Sequence, residues 1–462
     1  MPPTIFVLFG ATGDLARRMV LPAFAALAAA GLLPERWVLV GNGRRDDDDA
    51  WFVDHVRDVL GDDEKGFAAV ADHLMFAGNG FTADDPGDLP ATVERARAQL
   101  GHSDDEPAQL VHYIALPPST FEPYVTALAA HGLTDGARVV FEKPYGTGPE
   151  AFRHLEEVVR GVLDEDQVYR LDHFLGKEAT QNLHVLRFAN RLVGDVWCNA
   201  GVEQVEIDVP ETLDIDDRAG FYDATGATLD MVVTHLFQVA AEIAMEPPAS
   251  LRPAALLEAR ESVIACFRPL DPDEVVLGQY DGYRDVEGVA DDSDTDTFIA
   301  ARLWVDTDRW RGVPFLLRTG KRLAVSEQRV TLRLRAPEGG PVTDAPPATI
   351  SLSLKGSGQL DVDIVAKKPG PELALTSRTA PLPLSDGDGP DLPAYATLIR
   401  DVLEGDRSLF TTSAGLAATW RVVAPVLEHR PAVQGYAPGS WGPEAATALA
   451  GPGGWHLHDG AS

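Results

Sequence analysis

The first third of the chain alternates short apolar runs with longer stretches in which apolar residues recur every three or four positions. Apolar runs typical of buried strands lie at residues 4–9, 37–40, 110–116 and 138–141. Helical spacing fills the intervals between them, as at residues 17–30. Strands that alternate with helices in this way indicate parallel βαβ units. We therefore expect an α/β fold that begins with a doubly wound parallel sheet.

The pattern changes after about residue 175. Apolar and polar residues now alternate one by one, which is typical of antiparallel strands with one buried face. Such strands are predicted at residues 202–209, 330–334, 349–354 and 360–364. Helical stretches are predicted at residues 227–244 and 396–403. The second part of the chain is therefore predicted to be a large α+β domain with a mainly antiparallel sheet.

Composition narrows the class of protein. The chain has 462 residues, 45% of them hydrophobic, which is ordinary for a globular enzyme of two or three domains. Its two cysteines cannot form a disulfide framework, so we expect a cytoplasmic location, and no apolar stretch is long enough to span a bilayer. The net charge of −32 disfavours nucleic acid and anionic membranes as partners. A phosphorylated ligand would therefore need a local cluster of cations.

A glycine turn follows the first predicted strand. The sequence Gly10-Ala-Thr-Gly13-Asp14-Leu15 ends a strand and opens a helix, where free N–H groups favour a pyrophosphate. The G-x-x-G spacing is shorter than the usual dinucleotide fingerprint, and a plain βα turn has the same pattern. The next strand leads to Arg44 and Arg45, and an arginine there favours a ribose 2′-phosphate. We predict a Rossmann domain over residues 1–175 that binds NADP, with NAD possible. Either arginine can be the one that binds the 2′-phosphate.

The run from Arg170 to Glu178, Arg-Leu-Asp-His-Phe-Leu-Gly-Lys-Glu, concentrates charged and titratable residues between apolar ones. Asp172 can orient a general base, and His173 with Lys177 can hold an anionic group. A similar argument applies to Lys143, which follows a predicted strand within Glu-Lys-Pro and can donate to a substrate hydroxyl near the nicotinamide. The proline after it can be cis.

His235 lies in an apolar helical stretch. A single histidine in such a position is more often a core residue than a catalytic one. Two carboxylates, Asp172 and Asp230, are available to orient it, and oxidation of an alcohol needs a base that titrates near neutral pH. An imidazole at position 235 suits that role. A second glycine turn, Arg318-Thr-Gly-Lys321-Arg322, can hold hydroxyls or phosphate, although a basic surface turn has the same composition. No metal site is predicted.

Together these motifs resemble the glucose-6-phosphate dehydrogenase family. The resemblance extends from Gly10 to Pro443, and the run from Arg170 to Glu178 is similar to the family's substrate signature, which is a specific motif. The resemblance implies a Rossmann domain followed, over residues 176–462, by a β+α domain that binds the substrate and supports a homodimer or homotetramer. It also implies NADP-dependent oxidation of glucose 6-phosphate at C1 to 6-phosphogluconolactone, in the pentose phosphate pathway.

The resemblance assigns roles to individual residues. His235 would remove the proton of the 1-hydroxyl, and Asp172 would orient the imidazole. The substrate would be held by Lys143, His173, Lys177, Glu211, Asp230 and Lys321. The cofactor would be lined by Gly10, Thr12, Gly13, Asp14, Leu15, Arg44, Ala115, Pro117 and Lys143.

The chain departs from the family pattern at several positions. These positions hold Met19, Phe174, Leu229, Val233, Thr234, Val325 and Ser326. The last two stand where the family has a second cation after the Arg-Thr-Gly-Lys turn, and Arg322 or Arg329 can take its place. Two alternatives follow from these departures. The chain can oxidise another hexose phosphate or anionic sugar, or it can be a non-catalytic relative.

Overall fold

The computed structural model describes residues 1–101, 103, 106–215, 219–336, 345–346, 348–356, 358–385 and 392–457. The chain forms two compact units. The first contains residues 1–176 and 252–257 and the described residues of 389–416. The second contains the described residues of 177–251, 258–388 and 417–462. No helix among the described residues is long and apolar enough to cross a membrane.

The first unit is built on a seven-stranded sheet with the order β15-β6-β5-β4-β1-β2-β3. Its strands are β1 (Thr4–Phe9), β2 (Trp37–Asn42), β3 (Leu74–Ala77), β4 (Gln109–Ile114), β5 (Arg138–Phe141), β6 (Val168–Leu171) and β15 (Phe410–Thr411). Neighbours from β3 through β6 pair in parallel, and β15 pairs with β6 in the antiparallel direction. The order 3-2-1-4-5-6 is that of a doubly wound dinucleotide-binding sheet, which confirms the predicted fold class.

Helices connect the parallel strands of this unit. They are α1 (Leu21–Ala29), α2 (Asp49–Leu60), α3 (Glu64–Val70), α4 (Leu89–Leu100), α5 (Phe121–Ala130) and α6 (Pro149–Arg160). A further helix, α12 (Ala394–Glu404), precedes β15. A π-helical turn, Ala16–Val20, precedes α1. The late elements α12 and β15 complete the unit, and Arg138 donates to the carbonyl groups of Val402 and Leu403 at 2.7 and 2.8 Å. The hydrophobic pattern did not predict that these late residues belong to the first unit.

The second unit is built on a nine-stranded sheet with the order β14-β13-β12-β11-β7-β10-β9-β8-β16. Its strands are β7 (Val202–Pro210), β8 (Val275–Tyr280), β9 (Phe298–Leu303), β10 (Phe315–Gly320), β11 (Arg329–Leu334), β12 (Thr349–Ser353), β13 (Gln359–Lys367), β14 (Leu375–Pro383) and β16 (Val433–Tyr436). All neighbours are antiparallel except β7 with β10 and β8 with β16. The prediction of a mainly antiparallel sheet is confirmed.

The helices of the later chain include the segment that carries the predicted base. They are α7 (Glu178–Ala189), α8 (Arg191–Gly194), α9 (Ala219–Ala227), α10 (Phe237–Ala244), α11 (Pro253–Ala265), α13 (Ser413–Glu428) and α14 (Glu444–Leu449). A π-helix, Thr228–Leu236, lies between α9 and α10. The helical stretch predicted at residues 227–244 is therefore real, but its first half has wider turns than an α-helix.

Candidate active site

The glycine turn of the first unit lies where the strand order reverses, between β1 and β4. Gly10 has φ +73°, and a Cβ atom built on it would lie 2.7 Å from the carbonyl oxygen of Ala115. Ala115 in turn donates its N–H to the carbonyl of Phe9 at 3.1 Å. Only glycine fits this conformation and this space. The turns after β1 and β4, which carry Gly10 and the Ala115–Pro117 segment, are thus held together at the usual position of a dinucleotide.

The helix after this turn starts with its N-terminal end accessible. The N–H of Gly13 donates to the carbonyl of Gly10 at 2.8 Å, and the N–H of Arg17 donates to that of Gly13 at 3.0 Å. Thr12 and Asp14 are exposed, and Leu15 is half-buried. The first N–H groups of a helix have no partner within it and carry the positive end of its dipole. These residues fit a pyrophosphate, which supports the predicted cofactor turn.

Arg44 and Arg45 follow β2 and differ in their surroundings. Nε of Arg45 lies 2.5 Å from Oδ2 of Asp47, and its guanidinium lies 5.1 Å from the ring centre of Trp51. Arg44 is exposed and makes no side-chain hydrogen bond or ion pair with any described residue. Of the two arginines, Arg44 is thus the one whose guanidinium is available to an added anion.

Lys143 follows a buried carboxyl group at the end of β5. Glu142 accepts a hydrogen bond from the hydroxyl of Tyr113 at 2.6 Å and another from Tyr395 of α12. Burial raises the pKa of Glu142 above its usual value despite these bonds. The peptide bond between Lys143 and Pro144 is cis, as the sequence suggested. Lys143 itself is half-buried, beside this rigid cluster.

Arg170 begins the charged run and has a structural role. Its buried guanidinium pairs with Glu156 at 2.5 Å and with Glu165 at 2.9 Å. The two ion pairs connect β6 to α6 and to the segment just before β6. The guanidinium of Arg170 is therefore occupied by protein carboxylates.

Asp172 and His173 follow β6 directly. Asp172 is 2% exposed, and its Oδ1 accepts from the N–H of Phe174 at 2.9 Å. His173 is half-buried, with its ring 6.5 Å from that of Tyr395 and nearly parallel to it. Tyr395 thus contacts both Glu142, next to Lys143, and His173. The hydrophobic pattern predicted a helix at residues 396–403, and nothing in it placed Tyr395, just before that helix, beside the predicted site.

Glu211 and Lys321 are brought together in the second unit. They follow β7 and β10, which pair in parallel with Pro210 opposite Gly320. The N–H of Glu211 donates to the carbonyl of Gly320 at 3.0 Å, and Nζ of Lys321 donates to Oε2 of Glu211 at 2.6 Å. Two residues that are far apart in the chain therefore form one ion pair at the same end of the sheet.

Tyr222 of α9 lies beside this ion pair. Nζ of Lys321 is 5.7 Å from the centre of its ring. Burial, followed by the charges of Asp230 and other carboxylates that include Glu211, raises the pKa of the Tyr222 hydroxyl well above its usual value. Three predicted sugar-binding residues, Glu211, Asp230 and Lys321, therefore surround one buried tyrosine.

His235 and Asp230 share the π-helix. His235 is fully buried and Asp230 is 6% exposed, while the hydroxyl of Thr234 donates to the carbonyl of Asp230 at 2.6 Å. In an α-helix, residues five positions apart point about 140° away from each other. The wider π-helical turn reduces this angle, and such turns often occur at functional sites. Asp172 belongs to the first unit and His235 to the second, and their pairing stays a prediction.

Lys177 precedes α7 in the second unit. Its Nζ donates to the side-chain carbonyl of Gln328, which precedes β11. The sequence patterns had not identified Gln328. A glutamine next to a predicted phosphate-binding lysine has an amide group that can also donate to an anion.

Comparisons with known proteins agree with the resemblance. Residues 7–182 match the model "Glucose-6-phosphate dehydrogenase, NAD binding domain", and residues 184–456 match the model of the "C-terminal domain" of the same family. A glucose-6-phosphate 1-dehydrogenase 2 of Mycobacterium tuberculosis is 36% identical over 480 aligned positions, which cover 96% of this chain and 92% of that protein.

Two solved structures share the whole fold. The crystal structure of glucose-6-phosphate 1-dehydrogenase from Mycobacterium avium has a TM-score of 0.87 and 34% identity, and it covers 98% of each chain. A glucose-6-phosphate dehydrogenase in complex with its substrate glucose 6-phosphate has a TM-score of 0.90 and 27% identity, with the same coverage. The chain belongs to the glucose-6-phosphate dehydrogenase family.

Proposed function

We propose that this protein oxidises glucose 6-phosphate at C1 with NADP and forms 6-phosphogluconolactone. The observation that carries the proposal is membership in the family over nearly the full chain, from residue 7 to residue 456. The local geometry within each unit supports it, because the glycine turn, the Glu211–Lys321 pair and the buried His235 all lie at the ends of strands or on a buried helix.

His235 is the base of the proposed reaction. Its imidazole removes the proton of the 1-hydroxyl while hydride leaves C1, and its burial excludes competing water. Asp172 holds the ring in the productive tautomer and stabilises the imidazolium that forms. A buried carboxylate whose Oδ1 is fixed by the N–H of Phe174 is suited to this orienting role.

The remaining predicted residues hold the sugar phosphate. Lys143, Glu211, Asp230 and Lys321 bind sugar hydroxyls, with Tyr222 packed between three of them. The phosphate is bound by His173 and Lys177. Charge-assisted hydrogen bonds of this kind fix both the position and the orientation of C1.

The cofactor site is formed by the turns after β1, β2 and β4. Gly10, Thr12, Gly13, Asp14 and Leu15 bind the pyrophosphate, and Arg44 binds the 2′-phosphate. Ala115, Pro117 and Lys143 line the nicotinamide side. NADP, when bound there, accepts the hydride from C1.

Initial-rate kinetics test the proposal. The purified protein should reduce NADP in the presence of glucose 6-phosphate, with a lower KM for NADP than for NAD, and deuterium at C1 of the sugar should slow turnover. A panel of hexose phosphates and unphosphorylated sugars tests the alternative substrate, since faster turnover of an epimer would contradict the proposal. Tight binding of NADP without any turnover would favour the non-catalytic alternative.

We further propose the domain division at residues 175/176, a homodimer or homotetramer and a cytoplasmic location. Limited proteolysis of the full chain tests the first, because a division at that point should give an early cleavage near residues 175/176. Sedimentation of the whole chain tests the second, and fractionation of the source cell tests the third.

A further inference from the structure

The proposed phosphate site lacks a cation to balance the two negative charges of a phosphate. The resemblance implies a second cation after the Arg-Thr-Gly-Lys turn, whereas this chain has Val325 and Ser326 there. A phosphate dianion bound only by His173 and Lys177 would be poorly neutralised in a protein with a net charge of −32. We therefore expect a replacement cation on another element that contacts the segment around Ser326.

The two arginines next to this segment are already engaged. Arg322 lies 3.3 Å from Asp214, and its guanidinium is 5.5 Å from the ring centre of Tyr280. Arg329 lies 2.8 Å from Asp361 of β13, and both side chains are largely buried. Recruiting either arginine to a phosphate would leave a carboxylate without its cation, which costs free energy.

Lys355, which follows β12, contacts the segment of residues 326–328. Its Nζ donates to the carbonyl oxygen of Ser326, while the N–H of Leu354 donates to the carbonyl of Gln328 at 2.7 Å. Lys177 donates to the side chain of the same Gln328. Lys177 and Lys355 therefore each donate a hydrogen bond from the ammonium group to the segment of residues 326–328.

This segment is also connected to the sugar-binding ion pair. The side-chain oxygen of Ser326 accepts from the N–H of Thr212 at 2.8 Å, and Thr212 follows Glu211. The carboxylate of Glu327 accepts from the N–H of Gln328 at 2.9 Å within the same turn. Ser326, whose carbonyl accepts from Lys355, therefore lies beside the residue that follows Glu211.

We propose that Lys355 is the second cation of the phosphate site and that Gln328 fixes Lys177 beside it. The inference rests on the proposed function, because it concerns the phosphate of the same substrate. The carbonyl of Ser326 holds the Lys355 ammonium in place before the substrate arrives, and the remaining ammonium protons donate to phosphate oxygens. The NH₂ group of Gln328 adds a neutral donor, while its carbonyl keeps Lys177 oriented.

The test is the selectivity between a phosphorylated and an unphosphorylated sugar. In Lys355→Gln, kcat/KM for glucose 6-phosphate should fall about ten-fold or more, mostly through KM, because one charge-assisted hydrogen bond is lost. The rate with glucose should fall much less, and Lys355→Arg should restore most of the affinity for glucose 6-phosphate. Inorganic phosphate should also inhibit Lys355→Gln less strongly than the unmodified protein.

The matched control is Lys368→Gln, which removes the same charge from another exposed lysine of this unit. It should change neither selectivity nor inhibition. The inference is wrong if Lys355→Gln keeps its KM for glucose 6-phosphate, or if it loses activity on both sugars equally. The proposed function fails separately, through absence of glucose 6-phosphate oxidation in the unmodified protein.

Discussion

Nζ of Lys321 lies 2.6 Å from Oε2 of Glu211, and the two residues extend the parallel neighbours β10 and β7. The ion pair is largely buried, with side-chain exposures of 11% and 25%. Lys321→Ala should raise the KM for glucose 6-phosphate about ten-fold or more, because it removes a donor to the sugar and leaves Glu211 unpaired. Steady-state kinetics at saturating NADP measure the effect.

A double-mutant cycle provides the control for this pair. If Lys321 and Glu211 act as one unit, Glu211→Gln in the Lys321→Ala background should cost far less than in the unmodified protein. Additive effects of the two substitutions would mean that the residues bind separate parts of the ligand.

Arg44 should decide the preference between the two nicotinamide cofactors. Arg44→Ala should weaken NADP binding about ten-fold or more and leave NAD binding nearly unchanged, because only NADP carries the 2′-phosphate. Arg45→Ala is the control, since Arg45 already pairs with Asp47. Calorimetric titration with both cofactors measures the affinities, and an equal loss for NAD and NADP in Arg44→Ala would contradict the role.

The glycine turn makes a prediction about stability as well as binding. Gly10→Ala should lower the free energy of unfolding by about 1–3 kcal/mol, because a positive φ and a contact of 2.7 Å with Ala115 must both be accommodated. Gly31→Ala separates the two causes, since Gly31 has φ +68° with no atom within 4 Å of the added carbon. Urea unfolding should show a smaller loss for Gly31→Ala, and only Gly10→Ala should weaken NADP binding.

Glu242 of α10 makes stability depend on pH. Its carboxylate is buried and bonds to His184 and, at 2.9 Å, to Arg260. Burial alone would raise the pKa of Glu242, but its contacts with His184 and Arg260 lower it to about 2. Because the folded pKa lies below the unfolded value of about 4.3, the carboxylate stabilises the fold above that value. The contribution should be lost as the pH falls from about 5 towards 2.

Substitution measures this contribution directly. Glu242→Gln should lower the free energy of unfolding at neutral pH by about 3–5 kcal/mol, since it leaves the buried guanidinium of Arg260 without its carboxylate. Glu246→Gln, which breaks a more exposed pair with Arg309, should cost about 1 kcal/mol or less. Urea unfolding of both variants should show that the Glu242→Gln difference shrinks in acid, and a constant difference would contradict the pKa argument.

The strands were the most predictable part of the fold. The predicted bounds of residues 4–9 and 138–141 agree with β1 and β5, because strands buried on both faces are continuous apolar runs. The addition of β15 to β6 was not predictable, because a two-residue strand has no periodicity. The π-helical form of Thr228–Leu236 was also missed, since its apolar residues have the same spacing as those of an α-helix.

Within the site, motifs identified residues but not their partners. The turn Arg318-Thr-Gly-Lys321 and the residue Glu211 were recognised separately, and only the parallel register of β7 and β10 joins them. Gln328 and Lys355 belong to no motif, so their contacts with Lys177 and Ser326 became visible only in the folded chain. Contacts between residues that are far apart in the chain leave no local signal in the sequence.

Whether His235 is the base is decided by kcat of His235→Asn with saturating glucose 6-phosphate and NADP. We expect kcat to fall about 100-fold or more, because the proton acceptor is lost while both ligands still bind. Adding Asp172→Asn should lower kcat little further, since the carboxylate acts through the imidazole. Full turnover by His235→Asn would contradict the assignment of His235 as the base.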